Sequence, residues 1–431
     1  MLAKRLISRL RLPGEVISRL RLPGGRPFHL LITSLAVSSI GDWLYNVALL
    51  AFIYERTGSA TWVSLTTAAR LVPVVAFGPL GGVLADRYDR RRLMIGSDLI
   101  RTLLMVALGV VAAIGLPILL APALAAAAAG AGIVYPPSVA SSTARFVSGE
   151  ALQRANALRA GIGQAEIVVG PALGALALVA AGPAVAMLLN AGTFLISALA
   201  VAAIGACDKF KPATRTADGG MPSVLAEVRT GARALRGAPA AIRLVAADVL
   251  ASAVYGLLTV TLVLIGRKVG AGNGGYGLLL GGFGVGGVIG AGVTARIDAP
   301  AHWRRTLTVG LVLVGVVIAC LGVAPTLLSA VALAVIGGGG MIVGEVLGET
   351  ALPLMLDDEV LARAYGLVFP VSIGGIVAGS LIAGPLVSLL GLTGAMVAAG
   401  GAVLVVASLL LSRPLEVDER LATPVALPSS A

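Results

Sequence analysis

Gly82-Val-Leu-Ala-Asp86-Arg87-Tyr-Asp89-Arg90-Arg91-Arg92 closes one apolar run, residues 61–85, and borders the next, residues 93–114. Each run is long enough to cross the hydrocarbon core of a bilayer, which takes roughly 20 helical residues at about 1.5 Å rise each. Six charged side chains crowd the positions from Asp86 to Arg92. Hydrocarbon excludes charge, and backbone polar groups inside it must be satisfied within helices. The stretch therefore reads as two membrane helices joined by a tight loop at the water boundary.

The same alternation extends along the chain. Apolar segments occupy 28–54, 61–85, 93–114, 118–141, 160–181 and 183–206, and then 242–266, 275–297, 306–324, 326–350, 365–390 and 392–412. The expected organisation is a basic arm (1–27), a six-helix bundle (28–206), a polar linker (207–241), a second six-helix bundle (242–412) and a tail (413–431). Composition agrees: 58% of residues are hydrophobic and 12% charged, against about 25% charged in soluble domains. Glycine supplies 57 of 431 residues, and small residues let membrane helices approach closely. No small-residue cleavage site follows a short apolar core, so the first span is expected to remain as helix 1.

The net charge of +11 would point to nucleic acid in a soluble protein. Its distribution points instead to the membrane, with no nucleic-acid partner. With the N-terminus in the cytoplasm, 27 of the 32 lysines and arginines fall in cytoplasmic segments. Arg56, Arg267 and Lys268 fall outside, while Arg70 and Arg101 lie within spans. This asymmetry is the positive-inside pattern, and it places both termini in the cytoplasm. Cys207, Cys320, His29 and His302 are scattered, so no metal site is expected.

Two internal repeats are visible. Glu150-Ala-Leu152-Gln-Arg154-Ala155-Asn-Ala-Leu158 matches Glu359-Val-Leu361-Ala-Arg363-Ala364-Tyr-Gly-Leu367 at an offset of 209, and Gly82–Ala85 matches Gly292–Ala295 at 210. An offset near half the chain points to duplication of a six-helix unit, as in transporters with two parallel halves. Ile7–Gly14 also recurs as Ile17–Gly24. This basic arm reads either as an amphipathic segment on anionic lipid or as an inert extension.

The loop quoted above resembles the signature of the major facilitator superfamily, Gly-x-x-x-Asp-Arg/Lys-x-Gly-Arg-Arg/Lys. Gly82, Asp86, Arg87, Arg90 and Arg91 match it, and Asp89 replaces the second glycine. Gly82 is expected to let another helix pass close, and the charges to latch one conformation. Asp42-Trp43, the stretch from Pro73 to Arg101, and Gln153-Arg-Ala-Asn156-Ala-Leu158 are similar to the branch containing macrolide and siderophore exporters. Gly170-Pro171-Ala-Leu-Gly174 resembles part of the antiporter signature, with Glu166 at its upstream glycine. A pliable helix is expected there, since proline removes one ladder hydrogen bond.

Carboxylates within spans are costly and mark cavities or relays. Asp42, Glu166, Asp248, Glu345 and Glu349 are the candidates for proton or substrate handling, with Arg70 as a cavity cation. A depth count along helices 1 and 2 separates Asp42 and Arg70 by about 4 residues, or roughly 6 Å, so a structural Asp42–Arg70 pair is the rival reading. Asp98 and Arg101, three apart, read as an internal ion pair. Gly282–Gly287 fits a dinucleotide pattern but lies inside a span with no preceding strand. No nucleotide-binding domain is present to power a pump.

The expectation is an all-α membrane protein of the major facilitator fold, with twelve transmembrane helices in two six-helix halves. The resemblance implies proton-coupled export of an amphiphilic drug, antibiotic or siderophore across the plasma membrane, with protons, substrate and lipid as partners and no cofactor. Import or uniport of a metabolite is the alternative, and a membrane sensor, scaffold or transferase is the alternative of another class. The oligomeric state is not set by the sequence, and a monomer is compatible with it.

Overall fold

A computed structural model describes residues 24–211, 239–294, 303–355 and 358–411. The basic arm before residue 24, most of the linker and the tail lie outside these residues. Eleven α-helices are described: α1 Arg26–Thr57, α2 Ala60–Arg87, α3 Arg90–Ile114, α4 Leu120–Gly132, α5 Tyr135–Phe146, α6 Glu150–Ala203, α7 Pro239–Lys268, α8 Gly275–Thr294, α9 Trp303–Leu321, α10 Leu327–Met355 and α11 Asp358–Leu411. Eight helical segments are long and apolar enough to cross a membrane, α4 and α5 counting as one, and two further apolar helices are shorter. Their outer faces stay apolar: Leu328 is 81% exposed, Leu389 80% and Leu103 70%. Water-soluble folds do not leave such surfaces open, whereas lipid covers them without penalty.

Local chemistry explains where the helices stop. Gly58 and Gly115 end α1 and α3 with positive φ, a conformation that suits a residue without Cβ. Asp89 starts α3 by accepting the Arg92 N–H at 3.0 Å. Its backbone is extended, at φ −60° and ψ 114°, so glycine is not required where the family signature carries one. The single span expected at 118–141 is interrupted between α4 and α5, because Pro136 and Pro137 lack the N–H groups that would continue the ladder.

Helices α6 and α11 are each 54 residues long, and each breaks at one glycine: Gly182 at φ 81°, ψ 175° and Gly391 at φ 68°, ψ 168°. The two breaks lie 209 residues apart, the spacing of the first sequence repeat. If each half crosses separately, the described helices make the twelve spans expected. Packing follows the same repeat. Helix α1 lies on α6 as α7 lies on α11, α3 on α6 as α9 on α11, and α2 on α4 as α8 on α10.

Glycines set the closest of these crossings. A Cβ on Gly379 would overlap the Ala253 carbonyl of α7, and one on Gly256 would overlap the Ile376 carbonyl of α11. Gly379→Ala is therefore expected to cost about 1–3 kcal/mol through overpacking. Lower monodisperse yield and a lower melting temperature in detergent would report it, while an unchanged melt would contradict so tight a crossing.

The two halves meet through α2 with α11 and through α6 with α8. At the end bearing the Gly58, Gly182 and Gly391 turns, these pairs touch. The Gly384 N–H donates to Ser64 Oγ at 3.0 Å, and Gly277 and Gly284 of α8 press on Pro171 and Val168 of α6. At the opposite end, which carries the basic loop 87–92, a Cβ on Gly78, Gly82, Gly161, Gly163, Gly292 or Gly374 would have nothing within 4 Å. One apolar core joins both halves at the first end. At the basic end the described clusters belong to the first half alone.

Candidate functional site

A cavity of about 560 Å³ lies among α1, α2, α3, α4 and α5, with Pro370 and Ile373 of α11 closing it from the second half. Its wall is mostly apolar, and its charged residues are Asp42, Arg70 and Arg101. Each comes from the middle of a different helix, so helix packing rather than a loop positions all three.

Arg101 is the hub. It donates from Nη2 to Asp42 Oδ2 in a short charged hydrogen bond, and its Nη1 lies 3.6 Å from Asp98 Oδ1. The guanidinium carbon also stands 3.7 Å from the centre of the Phe194 ring, which adds a cation–π contact. The two carboxylates differ in setting. The Asp42 side chain is 41% exposed to the cavity, whereas Asp98 is fully buried behind it. Asp98 Oδ2 accepts from Ser197 Oγ at 2.6 Å. Ser197 Oγ lies 2.8 Å from Tyr135 Oη, which donates to Ser34 Oγ at 3.0 Å. A buried polar chain thus runs from the cavity wall through α3, α6 and α5 back to α1.

The proposed Asp42–Arg70 pair is not formed. Asp42 pairs with Arg101, and Arg70 instead stands 5.9 Å over the Tyr45 ring, with Tyr255 and Tyr276 nearby. A depth count does not say which way around a helix a side chain points. The Asp98–Arg101 pair is formed, although sequence reasoning saw it as local and missed Arg101 as a cavity residue. Asp42, a carboxylate within the span of α1, was the signal that could have found it.

Glu166 and Asp248 do not line this cavity. Glu166 of α6 lies beside Ser39 and Trp43 of α1 and stays half-buried. Asp248 of α7 accepts a short hydrogen bond from Ser372 of α11. Glu345 and Glu349 lie on α10, but their side chains are outside the described set.

The basic loop also differs from expectation in detail. Gly82 faces open space, and the close approach on α2 belongs to Gly81, whose Cβ would overlap the Ile133 carbonyl. Arg90 is almost fully buried and stands 3.6 Å from the exposed carboxylate of Asp86. Arg91 donates to the Ala202 carbonyl at 2.8 Å, tying the loop to the end of α6. Gly170, Pro171 and Gly174 lie in unbroken helix. A Cβ on Gly170 would overlap Trp43, and one on Gly174 would press on the Leu44 backbone. These glycines seat α1 on α6, and the break in α6 comes later, at Gly182, because only there does the backbone leave helical geometry.

Two pseudo-repeated helical halves around a charged cavity define a multi-pass membrane transporter of the major facilitator type. Residues 25–427 match the family described as transmembrane secretion effector. The chain belongs to that family. Among relatives, macrolide efflux protein A of Streptococcus pyogenes is 40% identical over 73 residues, which cover 17% of this chain and 18% of that protein. The multidrug efflux pump Tap of Mycobacterium tuberculosis (strain ATCC 25618 / H37Rv) is 28% identical over 208 residues, covering 47% of this chain and 49% of the pump. The matched stretches thus span half or less of these relatives. The nucleoside transporter NupG superposes with a TM-score of 0.74 at 10% identity, over 90% of this chain and 98% of NupG. A bacterial homologue of the lysosomal transporter Spinster gives a TM-score of 0.66 at 14% identity, over 90% and 96%. At such identity these two speak for the fold alone.

Proposed function

We propose that the protein is a proton-coupled exporter of amphiphilic small molecules in the plasma membrane, working by alternating access with both termini in the cytoplasm. One observation carries this reading. The helix pairs α2–α11 and α6–α8 touch at the end bearing the Gly58, Gly182 and Gly391 turns, several glycines described toward the basic end have open space where a Cβ would stand, and a charged cavity lies part-way along the spans. Rocking of residues 28–206 against 242–412 would exchange the open end. Efflux as the direction is supported by the names of the macrolide and multidrug relatives.

Asp42 is the carboxylate that lines the cavity and is accessible from it, and release of Arg101 during the cycle would free it to take a proton or meet a cationic group. Glu166, beside Ser39 and Trp43 of α1, is the second candidate, and Asp248, Glu345 and Glu349 stay candidates in the other half. Asp86, Arg87, Arg90 and Arg91 with Gly82 form the gate at the basic end, where the unfilled space about Gly82 leaves room for another helix to close in.

The test uses inside-out vesicles and two radiolabelled amphiphiles of opposite charge, erythromycin and taurocholate, and accumulation of either one counts. The expected result is accumulation that needs an inward-acidic pH gradient, is lost when nigericin collapses that gradient, and falls in Asp42→Asn and Glu166→Gln. Uptake that only equilibrates the substrate and is indifferent to the gradient would replace the exporter reading with uniport.

A further inference from the structure

The two arginines inside the spans of the first half are treated very differently. Arg101 has two carboxylates, Asp42 and Asp98, and an aromatic ring against it. Arg70 takes part in no ion pair among the described residues. Its neighbours are hydroxyls and rings. It stands 5.9 Å over the Tyr45 ring, with Tyr255 of α7 and Tyr276 of α8 alongside. Tyrosine hydroxyls satisfy N–H donors but do not neutralise a charge. A cation at this depth in a membrane protein is costly and is ordinarily met by an acid. Asp42, the carboxylate nearest in depth, is already engaged by Arg101.

Arg70 nonetheless lines the cavity. A planar guanidinium presents forked donors that match a carboxylate or phosphate in two parallel hydrogen bonds. Around it the wall is apolar, formed by Leu71, Val74, Val75, Ile133 and Ile373. The tyrosines beside Arg70 come from both halves of the protein, so a group bound there would touch the seam that must move during transport.

We propose that this cavity recognises an amphiphile carrying an anionic group, which Arg70 binds while the apolar wall holds its hydrophobic body. The inference rests on the exporter reading and narrows its substrate class.

Three probes on one scaffold test it: 11-(dansylamino)undecanoic acid, its primary amide and the corresponding terminal amine. Binding to the full chain in phosphatidylcholine nanodiscs is followed by energy transfer from tryptophan, one of which, Trp43, adjoins Asp42. The acid is expected to bind at least about tenfold more tightly than the amide, the increment of one charged hydrogen-bonded contact. Arg70→Gln should abolish that preference, and Arg70→Lys should keep part of it. Equal affinity of acid and amide in the wild-type protein, or tighter binding of the amine, overturns the proposal whatever the variants' folding. A preference that survives in Arg70→Gln also overturns it. If no probe binds, the cavity is not an amphiphile site and the exporter reading falls with the inference; if acid and amide bind equally, only the inference falls. Repeating the titration in phosphatidylglycerol nanodiscs separates two sources of the same chemistry. Competition by that lipid assigns the site to an anionic lipid headgroup, and its absence assigns it to a free anionic amphiphile; both outcomes retain the Arg70 contact.

Discussion

Arg101→Met is expected to destabilise the folded protein by about 3–5 kcal/mol, the usual result of removing one partner from a buried ion pair. Methionine fills similar length and can still pack on Phe194, so lost volume is not the main cause. The loss comes from Asp98. That carboxylate is fully buried, and after the substitution its remaining partner is the Ser197 hydroxyl at 2.6 Å. Asp42 suffers less, because its side chain is 41% exposed and the cavity can hydrate it. A second change separates these effects. Arg101→Met with Asp98→Asn removes both the cation and the stranded charge while leaving an amide able to accept from Ser197. The double variant should recover most of the loss, whereas Arg101→Met with Asp42→Asn should recover little. Thermal unfolding of purified protein, followed by loss of the monodisperse peak, measures all three. A single-variant shift equivalent to less than about 1 kcal/mol, the level of an exposed pair, would mean that the triad does not hold α1 to α3.

Gly384→Leu should drive the protein out of the conformation described above and stop transport. A Cβ at Gly384 would stand 2.7 Å from the Thr61 Cα and 2.9 Å from Ser64 Oγ, at the end where α11 closes on α2. The side chain therefore wedges the seam between the halves rather than the core of either one. An overpacking penalty of about 1–3 kcal/mol, felt in this conformation and not in one where the seam has opened, shifts the balance between them by roughly 5–150-fold. Gly82→Leu is the matched control for this conformation, since nothing lies within 4 Å of its Cβ position. It should leave the present arrangement undisturbed and obstruct closure at the basic end. Labelling of a cysteine at Ser64 by a membrane-impermeant maleimide reads the difference. It should rise in the Gly384→Leu background and stay low in the Gly82→Leu background. Equal labelling in both would show that the contact at Gly384 does not gate the seam.

Much of the fold is legible along the chain because its dominant constraint is one-dimensional. Charged stretches such as Asp86–Arg92 cannot lie in hydrocarbon, so they mark where helices end. The repeat at an offset of 209 is likewise a linear signal, and it reappears in backbone conformation at Gly182 and Gly391. The interruption between Gly132 and Tyr135 was written in Pro136-Pro137 but was masked by the unbroken apolar run around it. The glycines show the limits of local reading. Gly170 and Gly174 look like a hinge beside Pro171 when taken alone, yet Trp43 and Leu44 of another helix occupy the space their side chains would need. Gly81 and Gly82 are neighbours in sequence and opposites in space, one against Ile133 and the other facing a void.

By itself the sequence determined the apolar rods, the charged turns between them, the duplicated plan and the family, since lipid thickness and the exclusion of charge act on consecutive residues. Only the tertiary structure decided that Asp42 belongs to Arg101 and leaves Arg70 among tyrosines. Partner choice depends on how each helix is rotated about its axis, and that rotation is set by packing against neighbours far away in the chain.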